Sequence, residues 1–232
     1  MSLEQTVAAL SQRVEGLAHE VGVLQDVNAI RKLHHAYGYY IDKCLYEEVI
    51  DLFAEDSATY FLNGAYKGKA GARRLYVDWF QQLFTKGHNG PGYGFLLDHL
   101  IMQDIVDVAP DRLTAKARFR CFMQGGSHAS RTDAPEGLPA QFWEGGIYEN
   151  EYVREDGVWK IRLLNYNMLW QANYAEGWAN SEAHLAPLDK TYPENPIGPD
   201  AFVDFVPHVW PETRVVPFHY PHPVTGRPSA TP

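Results

Sequence analysis

Cysteine is scarce in this sequence, with only Cys44 and Cys121 among 232 residues. Two cysteines provide no disulfide framework of the kind that small secreted domains use, so the chain fits a reducing compartment. Long apolar runs are also missing, and no stretch approaches the roughly 18 residues that a membrane-spanning helix needs. The N-terminal sequence lacks the basic start and apolar centre of a signal peptide. We therefore expect a cytoplasmic protein with no membrane partner.

Basic residues are outnumbered, and several familiar motifs are absent. The sequence has 20 lysines and arginines against 29 acidic residues, a formal net charge of −9. Such a charge repels a phosphate backbone, so we expect no nucleic-acid partner. The sequence contains no glycine-rich phosphate loop, G-x-S-x-G turn or zinc-type cysteine pair. His34, His35, His219 and His222 are conceivable metal ligands, but the first two point to different helix faces and the others lie beside prolines. We expect neither a metal nor another cofactor.

Residues 1–26 form a first region with an apolar heptad pattern. Apolar side chains recur there at alternating spacings of four and three residues, which is the period of a coiled-coil seam. They are Leu3, Val7, Leu10, Val14, Leu17, Val21 and Leu24. One interpretation is a helix that packs this stripe on its own domain. The other is self-association as a homo-oligomer, a dimer or a trimer.

Residues 27–172 form a second region, in which helical spacing gives way to strand alternation. The 3.6-residue period predicts helices over residues 27–41, 45–53 and 71–84, with a short strand at 57–62 between the last two. Alternation then predicts four strands, over 96–108, 112–124, 145–156 and 157–170. Helices followed by an antiparallel meander indicate an α+β domain whose sheet curls over the helices.

Residues 173–232 form a third region that holds 11 of the 15 prolines. Proline at this density excludes a regular helix or a central strand. The region is nevertheless rich in aromatic residues, which disordered tails generally lack. We expect an ordered arm laid over the domain or over a neighbouring subunit.

Asp42 and His99 are the residues whose type fits their predicted surroundings least well. Asp42 ends a helix rich in tyrosine and isoleucine, and His99 interrupts the apolar run FLLDHLIM. Alternation puts His99 on the face of Ile101 and opposite Asp98 and Leu100. A carboxylate beside that imidazole would orient it as a base. The structural alternatives are a helix N-cap for Asp42 and a core histidine for His99.

The segments YYIDK, YKGKAGA, DHLIM and GGIYENEYVREDGVWKI, in this order, resemble the SnoaL-like branch of the nuclear transport factor 2-like superfamily. Scytalone dehydratase, bile-acid 7α-dehydratase and hexachlorocyclohexane dehydrochlorinase are enzyme members of that superfamily. The resemblance spans about residues 27–170. It implies a cone-shaped α+β barrel, in which three helices pack against a strongly curved, mainly antiparallel sheet around an internal pocket.

The resemblance also implies site residues. In the dehydratase and dehydrochlorinase members an aspartate that ends the first helix pairs with a strand histidine, and these positions match Asp42 and His99. Other positions depart from the scytalone dehydratase pattern, since Phe61 and Ala117 fall where that enzyme has a tyrosine and a second histidine, and Tyr148 falls where it has an asparagine. Scytalone itself is therefore not the expected substrate.

Further pocket residues follow from strand alternation and helix faces. Tyr148 is our candidate for an acid that assists the pair, and Arg73 or Arg74 are candidates for binding an anionic or phenolic group. The other expected substrate-binding residues are Tyr37, Tyr40, Phe61, Tyr76, Phe119, Cys121, Asn150, Tyr166 and Met168.

These observations favour a cofactor-independent lyase that acts on a small hydrophobic, aromatic substrate. Aromatic residues make up 13% of the chain, and many fall on the expected pocket walls. By resemblance, the reaction is a dehydration or a related elimination, including formaldehyde-releasing cleavage of a lignin-derived diaryl compound. The alternatives are an isomerase or polyketide-type cyclase, and a non-catalytic binding or assembly module.

Overall fold

The computed structural model describes residues 1–181, 185–203 and 210–229. A long helix and several short ones lie against a curled seven-stranded sheet. The helices are α1 (Leu3–Asp42), α2 (Tyr46–Asp51), α3 (Gly68–Arg73), a π-helical continuation (Arg74–Gln81), α4 (Gln82–Thr85) and α5 (Gly177–Asn180). The strands are β1 (Phe53–Phe61), β2 (Gly64–Lys67), β3 (Phe95–Val108), β4 (Thr114–Ser127), β5 (Gln141–Glu155), β6 (Val158–Asn173) and β7 (Ala201–Phe202).

The sheet is mixed and does not close on itself. Its strand order is β3-β4-β5-β6-β1-β2-β7, and every neighbouring pair is antiparallel except β1 with β6. The hairpin between β5 and β6 turns at Asp156 and Gly157, both with positive φ, as a tight two-residue turn requires. The curled sheet and the helices on its concave side confirm the predicted α+β architecture.

Helix α1 joins the predicted first and second regions without a break. It starts with a capping box between Ser2 and Gln5 and runs for 40 residues. Only its C-terminal half packs on the domain, through buried residues such as Ile30 and Ile41. All seven heptad residues are more than half exposed. The interpretation that this stripe packs on its own domain is therefore wrong.

The described part of the C-terminal arm lies over its own domain. Strand β7 pairs with β2, and Asp200 accepts a hydrogen bond from the backbone N–H of Lys67 and forms an ion pair with Arg74 at 2.5 Å. Farther along, Arg118 donates to the carbonyl oxygen of Val216 at 2.9 Å. The guanidinium of Arg118 also packs on the ring of Phe218, 4.1 Å from its centroid. Ion pairs and backbone bonds thus order a segment that its prolines keep irregular.

The secondary structure differs from the sequence-based expectation in several places. Strand β1 begins at Phe53, four residues before the predicted start, and α5 is a short helix in the arm, where no regular helix was expected. Strands β2 and β7 are additional, since both are too short to produce a periodic pattern. Strand β5 begins at Gln141, four residues before the predicted start. The third predicted helix is a composite with a π-helical centre. Within the described ranges, no helix is both long and apolar enough to cross a membrane.

Candidate functional site

A cavity of about 350 Å³ lies between the concave face of the sheet and the helices. This volume is within the range of small-molecule binding sites. Its walls are mainly apolar and aromatic, with side chains from α1, the composite helix and strands β1 and β3–β6. Leu185, Ala186 and Leu188 of the arm also line it. Leu188 is held by Asn63, whose side chain accepts from the Leu188 N–H at 2.7 Å and donates to its carbonyl at 2.9 Å.

Asp42 and His99 form a hydrogen-bonded pair at this cavity. One carboxylate oxygen of Asp42, Oδ1, lies 2.6 Å from Nδ1 of His99 and 2.9 Å from the His99 backbone nitrogen. Their side chains are 7% and 10% exposed. Because a carboxylate only accepts hydrogen bonds, Nδ1 carries a proton, and in the neutral ring the lone pair is on Nε2. His99 lines the cavity, and its Nε2 has no hydrogen-bond partner among the described residues.

Helix and strand come together here because of a glycine. Gly38 lies one turn before Asp42, on the same face of α1. A Cβ atom at Gly38 would lie 3.0 Å from the side chain of Ile101, which is tighter than nearly all such contacts. The missing side chain therefore lets α1 approach β3 closely enough for Asp42 to reach His99. Asp42 ends the helix and α2 begins only at Tyr46, so the N-cap alternative is wrong.

Four tyrosines line the same cavity as His99, and all are buried except Tyr166, which is partly buried. The hydroxyls of Tyr37 and Tyr76 are 3.1 Å apart, and the rings of Tyr148 and Tyr166 pack with centroids 4.7 Å apart. Burial is the main cause that raises the pKa of each phenol well above 10. The tyrosines therefore remain neutral and supply hydrogen-bonding hydroxyls on otherwise apolar walls.

Phe61, the remaining predicted aromatic residue of the cavity, lines it from β1. Its ring makes edge-to-face contacts with Trp79 and Phe80, with centroids 5.6 and 5.1 Å away. This cluster forms an apolar wall without a proton donor.

Sequence reasoning missed Glu144 and Gln171, which are also in the cavity wall. Gln171 donates to Oε2 of Glu144 at 2.6 Å, and both side chains are buried. Burial raises the pKa of the Glu144 carboxyl, although hydrogen bonds from Gln171 and Tyr166 and the charge of His99 lower it in part. The hydroxyl of Tyr166 nevertheless lacks a well-formed hydrogen bond among the described residues.

The Gly145-Gly146 pair makes room for two rings of the neighbouring strand. A Cβ at Gly145 would lie 2.1 Å from the indole of Trp170, and one at Gly146 would lie 2.6 Å from the ring of Tyr166. Any larger residue at these positions would displace a ring. Gly146 thereby admits Tyr166 to the cavity, next to Glu144.

Several predicted substrate-binding residues lie outside this cavity. Arg73 forms a two-point ion pair with Glu47, with distances of 2.8 and 3.0 Å, and Arg74 is engaged by Asp200 and by the ring of Tyr192 in the arm. Both guanidinium groups therefore have structural partners. The others are packed in or against the core behind the wall, namely Tyr40, Phe119, Cys121, Asn150 and Met168.

Asn150 belongs to a separate buried group around His34. Its amide nitrogen lies 3.3 Å from Nδ1 of His34 and donates to the hydroxyl of Tyr152 at 3.1 Å. Burial, together with the charges of His35 and His99, lowers the pKa of His34 to about 3, so this ring is neutral. Within the described ranges, no three His, Cys, Asp or Glu side chains converge as a metal site would require.

The site therefore combines an oriented imidazole base, a buried carboxyl and neutral phenols in an apolar chamber. A bound molecule would be shielded from water, which strengthens every polar contact made with it. This set of groups can remove a proton from carbon or oxygen and can return one to a departing group.

Solved structures with this fold include enzymes. A candidate scytalone dehydratase from Novosphingobium aromaticivorans aligns over 72% of this chain and 96% of its own, with a TM-score of 0.52 and 18% identity. The hexachlorocyclohexane dehydrochlorinase of Novosphingobium barchaimii aligns over 73% of this chain and 99% of its own, with a TM-score of 0.54 and 20% identity. At these identities the likeness establishes the fold. No curated protein sequence matches significantly. A family model described as a SnoaL-like domain matches residues 22–165, and the chain belongs to the SnoaL-like family.

Proposed function

We propose that the protein is a cofactor-independent lyase that eliminates water or a related group from a hydrophobic aromatic substrate. The observation that carries this proposal is the 2.6 Å bond between Asp42 and Nδ1 of His99, at the wall of an apolar cavity of about 350 Å³. The pair has the geometry of an oriented general base. Two structural neighbours are named for elimination reactions, as a dehydratase and a dehydrochlorinase.

In the proposed reaction, Nε2 of His99 removes a proton from the carbon beside the leaving group. The electrons of that C–H bond form a double bond as the leaving group departs. Asp42 stabilises the imidazolium that forms, because its carboxylate already accepts the Nδ1 proton. General acid–base catalysis of this kind contributes about 10²–10⁴-fold, and positioning in a dry cavity supplies the rest.

The proposed substrate is a molecule with one or two aromatic rings. The edge-to-face cluster of Phe61, Trp79 and Phe80 provides a ring-binding wall. A 1,2-diarylpropane-1,3-diol fits the same base. His99 removes the proton of its primary hydroxyl, formaldehyde is released as the carbon–carbon bond breaks, the electrons of that bond form a stilbene, and the second hydroxyl takes up a proton and leaves as water. This formaldehyde-releasing cleavage is the finer form of the proposal.

The two rival functions have less support. An aspartate-based isomerase needs an aspartate that faces its substrate, whereas Oδ1 of Asp42 accepts two hydrogen bonds from His99. A binding module needs no base at its cavity wall. Neither rival accounts for the orientation of His99.

We also propose that the protein forms a homo-oligomer through the N-terminal half of α1. Its seven heptad residues are exposed along one stripe, and a second copy offers an identical stripe for knobs-into-holes packing. Valine alternates with leucine in this seam, which favours a parallel coiled coil of two helices.

The catalytic proposal is tested with a panel of hydroxylated and halogenated diaryl and polycyclic compounds in D₂O, followed by proton NMR. Asp42→Asn and His99→Ala are assayed beside the wild type. Elimination products that the wild type forms and His99→Ala does not form support the proposal. Turnover of a panel compound at the wild-type rate in His99→Ala would refute the histidine base. If the product of that turnover is an isomer of the compound, it would favour an aspartate-based isomerase.

A further inference from the structure

We propose that Glu144 is the proton donor of this reaction, protonating the leaving oxygen while His99 takes the proton from the substrate. This inference rests on the proposed lyase function and assigns a second catalytic residue to the same cavity. Its basis is the register of four adjacent strands together with the hydrogen bond between Gln171 and the Glu144 carboxyl.

His99 and Glu144 belong to one row across the concave face of the sheet. His99 pairs with Met123 of β4, Met123 pairs with Glu144 of β5, and Glu144 pairs with Gln171 of β6. Directly paired residues point to the same face of a sheet. All four line the cavity. Two strand spacings separate the backbones of His99 and Glu144 by roughly 10 Å, so a molecule lying over Met123 contacts both side chains.

The hydrogen-bond donors beside Glu144 are neutral groups. Gln171 donates to Oε2 at 2.6 Å, and the hydroxyl of Tyr166 is the other neutral donor beside the carboxyl. The amide therefore orients the carboxyl without supplying a positive charge. This arrangement suits a group that must carry a proton and release it.

Two other carboxylates among the described residues, the buried Asp26 and the partly buried Glu149, have arginine partners. Arg112 approaches Asp26 to 2.5 Å, and Arg118 approaches Glu149 to 2.5 Å. Glu144 has no such ion pair among the described residues. The titratable groups around it are His99 from β3, Cys121 from β4, Tyr148 on its own strand and Tyr166 from β6. Burial raises the Glu144 pKa, which keeps its proton in place to higher pH.

A carboxylic acid is a better donor here than Tyr148. Burial moves the pKa of that phenol well above 10, far from the range in which a general acid works best. For a dehydration, His99 takes the carbon-bound proton, the carbon–carbon double bond forms, the C–O bond breaks, and the oxygen leaves as water with the Glu144 proton. Transfer of a proton from the imidazolium to the Glu144 carboxylate, through solvent, then restores both groups.

The test uses two substrates that differ only in their leaving group. A 1,2-diarylethanol and the matching 1,2-diarylethyl chloride give the same stilbene, but chloride departs without protonation. We expect Glu144→Gln to lower kcat/KM on the alcohol by about 10²–10⁴-fold and on the chloride by less than about threefold. The ratio of the two losses is measured on one preparation, so a smaller folded fraction does not alter it.

The pH profile gives a second readout. The wild type should lose activity on the alcohol at high pH, as Glu144 gives up its proton, and this alkaline limb should be absent in Glu144→Gln. Glu151→Gln, the same substitution on the outer face of β5, is the matched control and should leave both rates and the pH profile unchanged.

Two outcomes overturn the assignment in different ways. Equal losses on alcohol and chloride in Glu144→Gln, with wild-type turnover of both, would refute the proton-donor role alone. If the wild-type protein forms stilbene from neither the alcohol nor the chloride, the lyase proposal is overturned, and this inference with it.

Discussion

Replacing Asp42 by asparagine isolates the contribution of its negative charge. An asparagine side chain has almost the same shape, and its amide oxygen can still accept from Nδ1 and from the backbone nitrogen of His99. The imidazole therefore keeps its orientation and its Nε2 lone pair. What the substitution removes is the charge that stabilises the imidazolium formed when the substrate gives up its proton.

The size of the effect follows from the geometry of the pair. The side chains are 7% and 10% exposed, so solvent screens them only weakly. With charge centres about 4 Å apart and an effective dielectric constant near 20, the attraction is about 4 kcal/mol. A neutral hydrogen bond retains about 1 kcal/mol of this. The remaining loss, about 3 kcal/mol, corresponds to a decrease in kcat/KM of about 10²-fold.

The assay is steady-state elimination measured by NMR or absorbance for the wild type, Asp42→Asn and His99→Ala. Because Asp42 contacts His99 and does not line the cavity, the loss should fall on kcat, with KM nearly unchanged. Asp98→Asn is the matched control, since that residue is exposed on the opposite face of the same strand. A kcat within about threefold of wild type in Asp42→Asn, or an effect confined to KM, would refute the reasoning.

Three further predictions concern stability, access and assembly. Asp26 accepts from the indole of Trp159 at 3.0 Å; Asp26→Asn should lower the free energy of unfolding at neutral pH by about 1–3 kcal/mol in urea titrations. Removing the two bonds to the Leu188 backbone in Asn63→Ala should loosen the arm over the cavity and raise KM about five- to tenfold in steady-state assays. Leu17→Glu should convert the oligomer to a monomer in light scattering and leave the thermal unfolding temperature nearly unchanged.

A different result would contradict each of these three predictions. For Asp26, burial raises its pKa but bonds from Arg112 and Trp159 lower it further, so the folded pKa lies below 3.8. Its stabilisation is present above that value and is lost as pH falls through the folded pKa, so a penalty that stays constant down to low pH would contradict the assignment. An unchanged KM in Asn63→Ala would show that this contact of the arm does not affect substrate binding in the cavity. Gln12→Glu, away from the apolar stripe, is the assembly control, and an oligomer that survives Leu17→Glu contradicts the coiled coil.

The sequence was informative where periodicity and local chemistry agree. Alternation along β3 predicted that His99 shares the inner face with Ile101, and the end of the first helix predicted the position of Asp42. Their contact then needed only the crossing of one helix over one strand, which the family resemblance implied. The partners of Arg73 and Arg74 had no such signal, because Glu47 and Asp200 approach them only through the tertiary fold.

Glu144 and Gln171 illustrate two different limits of alternation. Glu144 shares the face of Tyr148, but the two glycines after it resemble a strand start, so the sequence pattern places the start of β5 after Glu144. Extending the alternation back through Gly146 would have found it. Alternation along β6 could not predict the position of Gln171, because the register shifts by one residue between Met168 and Trp170. This β-bulge turns Gln171 inward where uninterrupted alternation from Tyr166 predicts Trp170.

Three carboxylates with little exposed side-chain surface among the described residues differ mainly in their partners. Asp26 is bonded to an arginine, which lowers its pKa and keeps it ionised as a structural tie. Asp42 is bonded to a histidine, whose ring it orients toward the cavity. Glu144 is bonded to a neutral amide, and burial raises its pKa. An elimination needs a group that accepts a proton and another that supplies one. The partner of each carboxylate, rather than the carboxylate itself, divides the structural and catalytic roles among them.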